Sequence, residues 1–233
     1  MKTLTKYLPF AVLTGVLPLV LASALAARNP NPTILPPNSN PHGMSYGQWG
    51  DAWWQWALSI PADVNPMLDP TGEFAAEGQS GSVWFLAGTQ GGTAVRTVTV
   101  PAGKSLFFPI YNWVWVNLPE FGDDPWSEEQ EAFARESLAF FVDTPPELSC
   151  EIDDRAVQQI TSYRCQTPED GEYMVTFPDG NVWGLPAGTY GPSVSDGYFL
   201  MLAPLSAGEH TIHFAAEGDL DVTYHITVAG PRN

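Results

Sequence analysis

Residues 44–61 constrain the fold more than any other stretch of the chain. Four of the nine tryptophans fall within this segment. Five apolar residues recur there at the spacing of one helix face: Trp49, Trp53, Trp56, Ala57 and Ile60. Burying one indole ring removes roughly 200 Å² from water, which is worth at most about 5 kcal/mol of transfer free energy. The segment therefore predicts a helix that docks on a large apolar surface.

Both ends of this helix are marked in the sequence. Ser45 stands three residues before Gln48, a capping-box spacing in which two otherwise unpaired amide groups are satisfied. Met44 and Trp49 occupy the positions of a hydrophobic staple. Pro61 predicts the stop, because the residue before a proline is pushed out of the helical region.

Residues 1–26 have the pattern of an export signal. Lys2 and Lys6 precede an apolar run at 8–21, and Ala24-Leu25-Ala26 forms a small-x-small cleavage site. A retained membrane anchor and cleavage after residue 24 are the alternatives. Residues 27–43 are rich in proline and asparagine, which predicts an extended linker. Residues 44–230 would then form a single domain of a secreted or periplasmic protein, with no membrane span in the mature chain.

The net charge limits which partners this protein can bind, and its two cysteines predict a disulfide. The formal net charge is −17, and removal of the signal would leave Lys104 as the only lysine. Such a surface repels nucleic acid and anionic lipid headgroups. Cys150 and Cys165 are the only two cysteines, and an isolated pair in an exported chain predicts one disulfide. The sequence does not specify an oligomeric state.

The rest of the chain favours short strands with frequent turns. A second helix is expected around 128–141, because Ser127 and Gln130 repeat the capping-box spacing. Residues 88–92 are expected to connect a hairpin. The predicted strands are 82–87, 94–100, 106–110, 148–152, 162–166, 173–177, 198–202, 209–214 and 221–228. This pattern predicts a mainly β domain, like a β-sandwich or jelly roll, with the two helices on one face or at one end.

Several motifs resemble a family of secreted bacterial proteins that are usually left uncharacterised. They are Trp-Trp-Gln-Trp-Ala-Leu-Ser-Ile-Pro at 53–61, Gly-Ser-Val-Trp-Phe-Leu-Ala-Gly-Thr at 81–89, Val-Pro-Ala-Gly-Lys at 100–104 and Ala-Gly-Glu-His-Thr-Ile-His-Phe at 207–214. The resemblance runs from about residue 45 to 228, and the helix motif is its most specific part. It implies the β-rich fold and export, and it implies no activity or catalytic residues.

Two regions offer metal ligands. If 209–214 and 221–228 form a hairpin with Phe214 opposite Val222, then His213 and His225 lie diagonally on the other face at roughly 7–8 Å by Cα. Two satisfied histidines on a polar face are the alternative to a transition-metal site. The loop 117–125 places oxygen ligands suited to Ca²⁺ within eight residues, at Asn117, Glu120, Asp123 and Asp124. An ordinary solvated loop is the alternative there, so no cofactor is required.

An aromatic row is the candidate ligand-binding surface. A strand through 111–116 would place Tyr111, Trp113 and Trp115 on one face, about 6.8 Å apart. Trp54 lies off the main apolar face of the tryptophan helix and could join them. Flat rings in such a row can stack on sugar rings. The alternative is that these rings are core and meet the tryptophan helix.

Two classes of function remain at this point. The pattern favours an exported, non-catalytic module that binds a neutral glycan or another envelope component. A metal- or carboxylate-dependent hydrolase of an extracellular polymer is the alternative, so the sequence leaves open whether the protein is an enzyme. The chain has no His-Glu-x-x-His, phosphate-loop or Gly-x-Ser-x-Gly motif. Convergence of two or three Asp, Glu or His side chains in one pocket would favour the enzyme.

Overall fold

Two five-stranded sheets and two α-helices form the fold in the computed structural model, which describes residues 33–229. The predicted export signal at 1–26 and the beginning of the predicted linker lie outside these residues, as does Gly230. The helices are α1 (Tyr46–Leu58) and α2 (Glu128–Val142). The strands are β1 (Val83–Phe85), β2 (Gly92–Val100), β3 (Ser105–Val116), β4 (Leu148–Ile152), β5 (Arg155–Ala156), β6 (Arg164–Gln166), β7 (Tyr173–Phe177), β8 (Gly188–Leu202), β9 (Gly208–Ala216) and β10 (Leu220–Val228). The mainly β prediction is confirmed.

The two sheets pack face to face. The first has the order β1-β3-β8-β6 with β7 also on β8, and the second has the order β2-β10-β9-β4-β5. Pairing is antiparallel except between β1 and β3 and between β2 and β10. Phe108 of the first sheet meets Phe214 of the second with ring centroids 5.2 Å apart. The main core therefore lies between the sheets and continues under α1.

Helix α1 has the predicted capping box and docks on the outer face of the first sheet. The Ser45 hydroxyl accepts from the Gln48 amide at 3.2 Å, and the Ser45 amide donates to Gln48 Oε1 at 2.9 Å. Trp53 is 1% exposed and meets Phe199 of β8 at 6.2 Å between ring centroids. Trp49 is only partly buried, so Trp53 and Trp56 anchor the helix.

A register shift in β3 decides which helix its aromatic row meets. Pro109 pairs with Phe199, which contacts α1, whereas Tyr111 pairs with the adjacent residue Tyr198. Neighbouring strand residues point to opposite faces. The shift at Ile110 therefore moves the odd-numbered residues of β3 from the α1 side of the sheet to the α2 side. The aromatic row therefore faces α2 and not the tryptophan helix.

Two local predictions were wrong. Cys150 and Cys165 are free thiols. Cys150 lies opposite Phe214 and faces the core between the sheets, whereas Cys165 lies beside Gly50 of α1 on the outer face of the first sheet. A disulfide needs converging Cβ atoms, and here the first sheet separates the two side chains. Residues 88–92 do not connect a hairpin, since β1 and β2 belong to different sheets.

Residues before the predicted domain boundary at 44 also pack on the domain. Ile34 is 1% exposed and pairs with Leu202 of β8. The Tyr46 hydroxyl donates to the carbonyl of Leu35, and Trp49 Nε1 donates to the carbonyl of Pro41 at 2.9 Å. Burial of the apolar Ile34 side chain against β8 stabilises this arrangement. The described part of the predicted linker therefore packs against the domain instead of extending away from it.

Candidate functional site

An aromatic cleft of about 340 Å³ lies along the open edge of β3. Strand β1 pairs only with Ser105, Leu106 and Phe107 of β3. From residue 108 onward, this edge of β3 therefore has no strand beside it in the described chain. Five aromatic residues line the space that this leaves: Trp53, Trp54, Tyr111, Trp113 and Trp183. We call this space the aromatic cleft.

The wall on the α1 side is held rigidly. Trp53 Nε1 donates to the carbonyl of Leu86 at 3.0 Å within the core. The ring of Trp54 meets that of Trp53 edge to face, with centroids 5.0 Å apart and an interplanar angle of 84°. Because Trp53 is fully buried, it fixes the orientation of Trp54, which is partly buried.

The wall on the β3 side is more open. Trp113 is 37% exposed and Trp183 is 38% exposed. The Trp113 ring contacts Tyr111 edge to face at 6.1 Å and stacks on Phe141 of α2 at 4.5 Å with an interplanar angle of 19°. Trp183 contacts Phe177 at 5.1 Å. Other aromatic rings thus orient both exposed tryptophans, which leaves indole surface open to a ligand.

A buried arginine holds the loop at 88–91, which forms another side of the cleft. Arg96 is 1% exposed. Its guanidinium donates to the carbonyls of Asp69 at 2.8 Å, Ala87 at 2.5 Å and Gly88 at 3.0 Å. It also donates to the Tyr224 hydroxyl at 2.7 Å. Sequence reasoning missed this role, since a single arginine in an alternating strand normally faces solvent.

The polar groups of the cleft are few. Among the described residues that line it, Asp219 is the only charged one. The side chains of Asn112, Thr89 and Gln90 also line it. Asn112 Nδ2 and Trp54 Nε1 are shielded from solvent and have no hydrogen-bond partner. An apolar wall with a few polar groups that fix orientation is the usual composition of a ligand pocket.

The structure brings together three of the four predicted ligand-binding residues. Trp54, Tyr111 and Trp113 line the cleft, and Trp115 does not. The Trp115 ring meets Phe133 of α2 edge to face at 5.5 Å. It packs on a small core beneath α2 formed by Ala134, Leu138 and Val194. The prediction for Trp115 is corrected, because helix α2 covers this end of β3.

The two histidines lie in the predicted register. Val222 is opposite Phe214, Thr223 is opposite His213, and His225 is opposite Thr211. His213 Nε2 lies 3.1 Å from Asp221 Oδ1, and His225 is exposed. No third ligand joins them: the described residues contain no group of three His, Cys, Asp or Glu side chains that could hold a metal ion.

Two side chains of the acidic loop, Asn117 and Asp123, make hydrogen bonds that stabilise the loop itself. Asp123 Oδ2 accepts from the Leu118 amide at 2.7 Å. Asn117 is buried, donates to the carbonyl of Asp124 at 3.3 Å and accepts from Gln130 Nε2 at 3.4 Å. Glu120 lies in a 3₁₀ turn, Pro119–Phe121, within the same loop. Glu120, Asp123 and Asp124 belong to no group of three His, Cys, Asp or Glu side chains that could hold a metal ion in the described part of the chain, and the Ca²⁺ site stays a prediction.

A buried carboxylate that sequence reasoning missed lies beneath α1. Asp51 is 6% exposed, and its Oδ1 accepts from the hydroxyls of Thr167 at 2.5 Å and Ser195 at 2.8 Å. Burial raises the pKa of Asp51 to about 6, although the two hydroxyls favour the charged form. The Thr167 carbonyl also accepts from Arg135 of α2 at 2.7 Å. Asp51 thus links α1 to the segment that α2 holds, about one turn before Trp54.

Comparisons with known proteins find no relative of this chain. No family model, curated protein sequence or solved structure matches this chain. The resemblance to secreted bacterial proteins accordingly rests on its motifs. Within residues 33–229, neither helix combines the length and apolar character needed to cross a membrane.

Proposed function

We propose that this protein is an exported, non-catalytic binding module that takes up a neutral glycan in the aromatic cleft. The observation that carries the proposal is a cleft of about 340 Å³ with five aromatic rings and a single charged residue in its lining. The pattern at residues 1–26 supports the exported part of the proposal.

The lining suits a sugar ring because such a ring is amphipathic. Its C–H faces gain from burial against flat aromatic surface, at roughly 25 cal/mol per Å² removed from water. Its hydroxyls need hydrogen-bonding partners around the rim. Trp113 and Trp183 supply open aromatic surface, and Thr89, Gln90 and Asn112 supply polar groups.

The charges favour a neutral ligand. The net charge of −17 repels polyanions. No lysine, arginine or histidine is found among the described residues that line the cleft. An anionic sugar would therefore lose hydration without gaining a cationic partner.

The same lining supports binding over catalysis. Most glycosidases place two carboxyl groups across the scissile bond, roughly 5–10 Å apart. The described lining of the aromatic cleft has one, Asp219. Asp51 is buried, its Oδ1 accepts from the hydroxyls of Thr167 and Ser195, and it is not part of that lining. The hydrolase alternative has no comparable support.

Titration calorimetry and tryptophan fluorescence with a panel of neutral and anionic oligosaccharides test the proposal. A neutral glycan should bind and quench the fluorescence with little dependence on salt, since stacking does not rely on charge. Trp113→Ala and Trp183→Ala should each weaken binding by about tenfold or more, because each removes a stacking surface.

Phe121→Ala is the matched control. Phe121 is 55% exposed but does not line the cleft, so its loss should leave the affinity unchanged. The proposal would be rejected by a panel with no response from any neutral glycan. It would equally be rejected by tryptophan variants that bind as tightly as the parent protein.

A further inference from the structure

Asn112 lines the aromatic cleft, and a glycine on the neighbouring strand β8 leaves the space that Asn112 fills. It lies opposite Gly197 of β8. A Cβ atom added to Gly197 would lie 2.5 Å from Asn112 Cβ and 2.7 Å from the carbonyl oxygen of Tyr111. Such contacts are far inside van der Waals distance, so only glycine at position 197 lets the backbone and side chain of Asn112 sit where they do.

The protein itself does not use the amide nitrogen of Asn112. Its Nδ2 has no hydrogen-bond partner and is shielded from solvent, a costly state for an amide group. The terminal torsion of asparagine is soft, so the amide can turn its N–H toward the cleft. Trp54 Nε1 is also shielded and without a partner, but a rigid indole ring cannot turn its N–H toward the cleft. Asn112 is therefore the residue that can offer a free donor to a ligand amid mostly aromatic surroundings.

An unused donor beside aromatic rings binds some acceptor groups of a ligand better than others. A carbonyl oxygen accepts two hydrogen bonds and brings no hydrogen of its own. A hydroxyl oxygen also accepts, but its own hydrogen then needs an acceptor, and aromatic walls supply few. A carbonyl is therefore the better partner for Asn112.

We propose that the ligand is a glycan of N-acetylated amino sugars, and that Asn112 determines this specificity by hydrogen bonding to the acetamido group. This inference rests on the proposed function of the aromatic cleft. The acetamido carbonyl accepts from Asn112 Nδ2, and its methyl group packs on aromatic surface. Its N–H donates to an oxygen at the rim, where Asp219 supplies a carboxylate. Unmodified hexoses offer neither the carbonyl nor the methyl group.

Two tetrasaccharides that differ only at C2 test this specificity by titration calorimetry: β-1,4-linked N-acetylglucosamine and β-1,4-linked glucose. The acetylated tetramer should bind about tenfold more tightly, as expected for one additional satisfied hydrogen bond. Asn112→Ala should bring the ratio of the two dissociation constants to within about twofold of one. Asn112→Asp, which keeps the shape but loses the donor, should do the same. Phe121→Ala should keep the parent ratio.

The outcomes separate the two proposals. Equal binding of both tetramers, or a preference that survives both Asn112 variants, overturns the acetamido specificity and leaves the neutral-glycan cleft standing. Absence of binding to either tetramer and to the wider neutral panel overturns both. Binding of an extended peptide alone, paired along the open edge of β3, also overturns both. Near-UV circular dichroism of each variant establishes that a lost preference is not lost folding.

Discussion

Replacing Asp51 with asparagine should make the protein more stable at neutral pH and leave it nearly unchanged in acid. Burial raises the pKa of this carboxyl from its ordinary value of 3.8 to about 6 in the folded protein. Below pH 3.8 the group is protonated in both the folded and the unfolded states, so it contributes no pH-dependent cost. As the pH rises from 3.8 to 6, the unfolded chain releases the proton and the folded protein retains it, so stability is lost.

The pKa shift sets the size of the effect. One pKa unit corresponds to 1.36 kcal/mol, so a rise from 3.8 to about 6 costs about 3 kcal/mol of stability above pH 6. The new amide side chain in the Asp51→Asn variant would keep an oxygen to accept from Thr167 and Ser195, and it has no charge to desolvate. We therefore expect the advantage of the variant over the parent protein to grow by about 2–3 kcal/mol between pH 4 and pH 7.5.

Urea unfolding of both proteins at several pH values measures this difference. Other carboxyl groups also titrate in this range, but the comparison between variant and parent removes their common contribution. Asp63→Asn is the matched control, because it makes the same chemical change at an exposed position. A variant that is less stable than the parent at pH 7.5, or a difference that does not change with pH, would refute the reasoning.

Three further predictions concern the core and the thiols. Trp53→Ala should cost about 3–5 kcal/mol in urea unfolding and Trp54→Ala clearly less, because only Trp53 is fully buried; equal losses would contradict this. Arg96→Met should cost roughly 3 kcal/mol or more and weaken glycan binding, since three buried carbonyls, including that of Gly88 in the cleft lining, lose their donor. A variant that unfolds at the parent urea concentration would show that this network is dispensable. Thiol titration should find Cys150 and Cys165 both free after denaturation without reductant, and a mass two hydrogens lower would indicate a bridge.

Much of the secondary structure could be predicted from sequence because its causes are local. The capping box at Ser45 and the stop near Pro61 act within one turn of helix, and both agree with the bounds of α1. The hairpin of β9 and β10 was predicted in the correct register, because each strand alternates apolar and polar residues and one face must be buried. Patterns of this kind need no knowledge of the rest of the fold.

Residues whose roles depend on distant partners could not be predicted in this way. Arg96 is buried because carbonyls 8 to 27 residues away in the chain surround its guanidinium. The Asp51 carboxylate meets hydroxyls 116 and 144 residues further along. The two cysteines lie only 15 positions apart, yet they belong to opposite sheets. In each case proximity in the chain carries no information about proximity in space.

The aromatic cleft shows which features the sequence determined and which the tertiary structure decided. The sequence by itself determined that Tyr111, Trp113 and Trp115 share one face, because side chains alternate along any strand. Only the tertiary structure decided which of these rings a ligand can reach. The register shift at Ile110 turned the row toward α2, which covered Trp115. The early end of β1 left the edge beside Tyr111 and Trp113 open. Alternation is a property of the backbone, whereas exposure depends on what the rest of the chain packs against it.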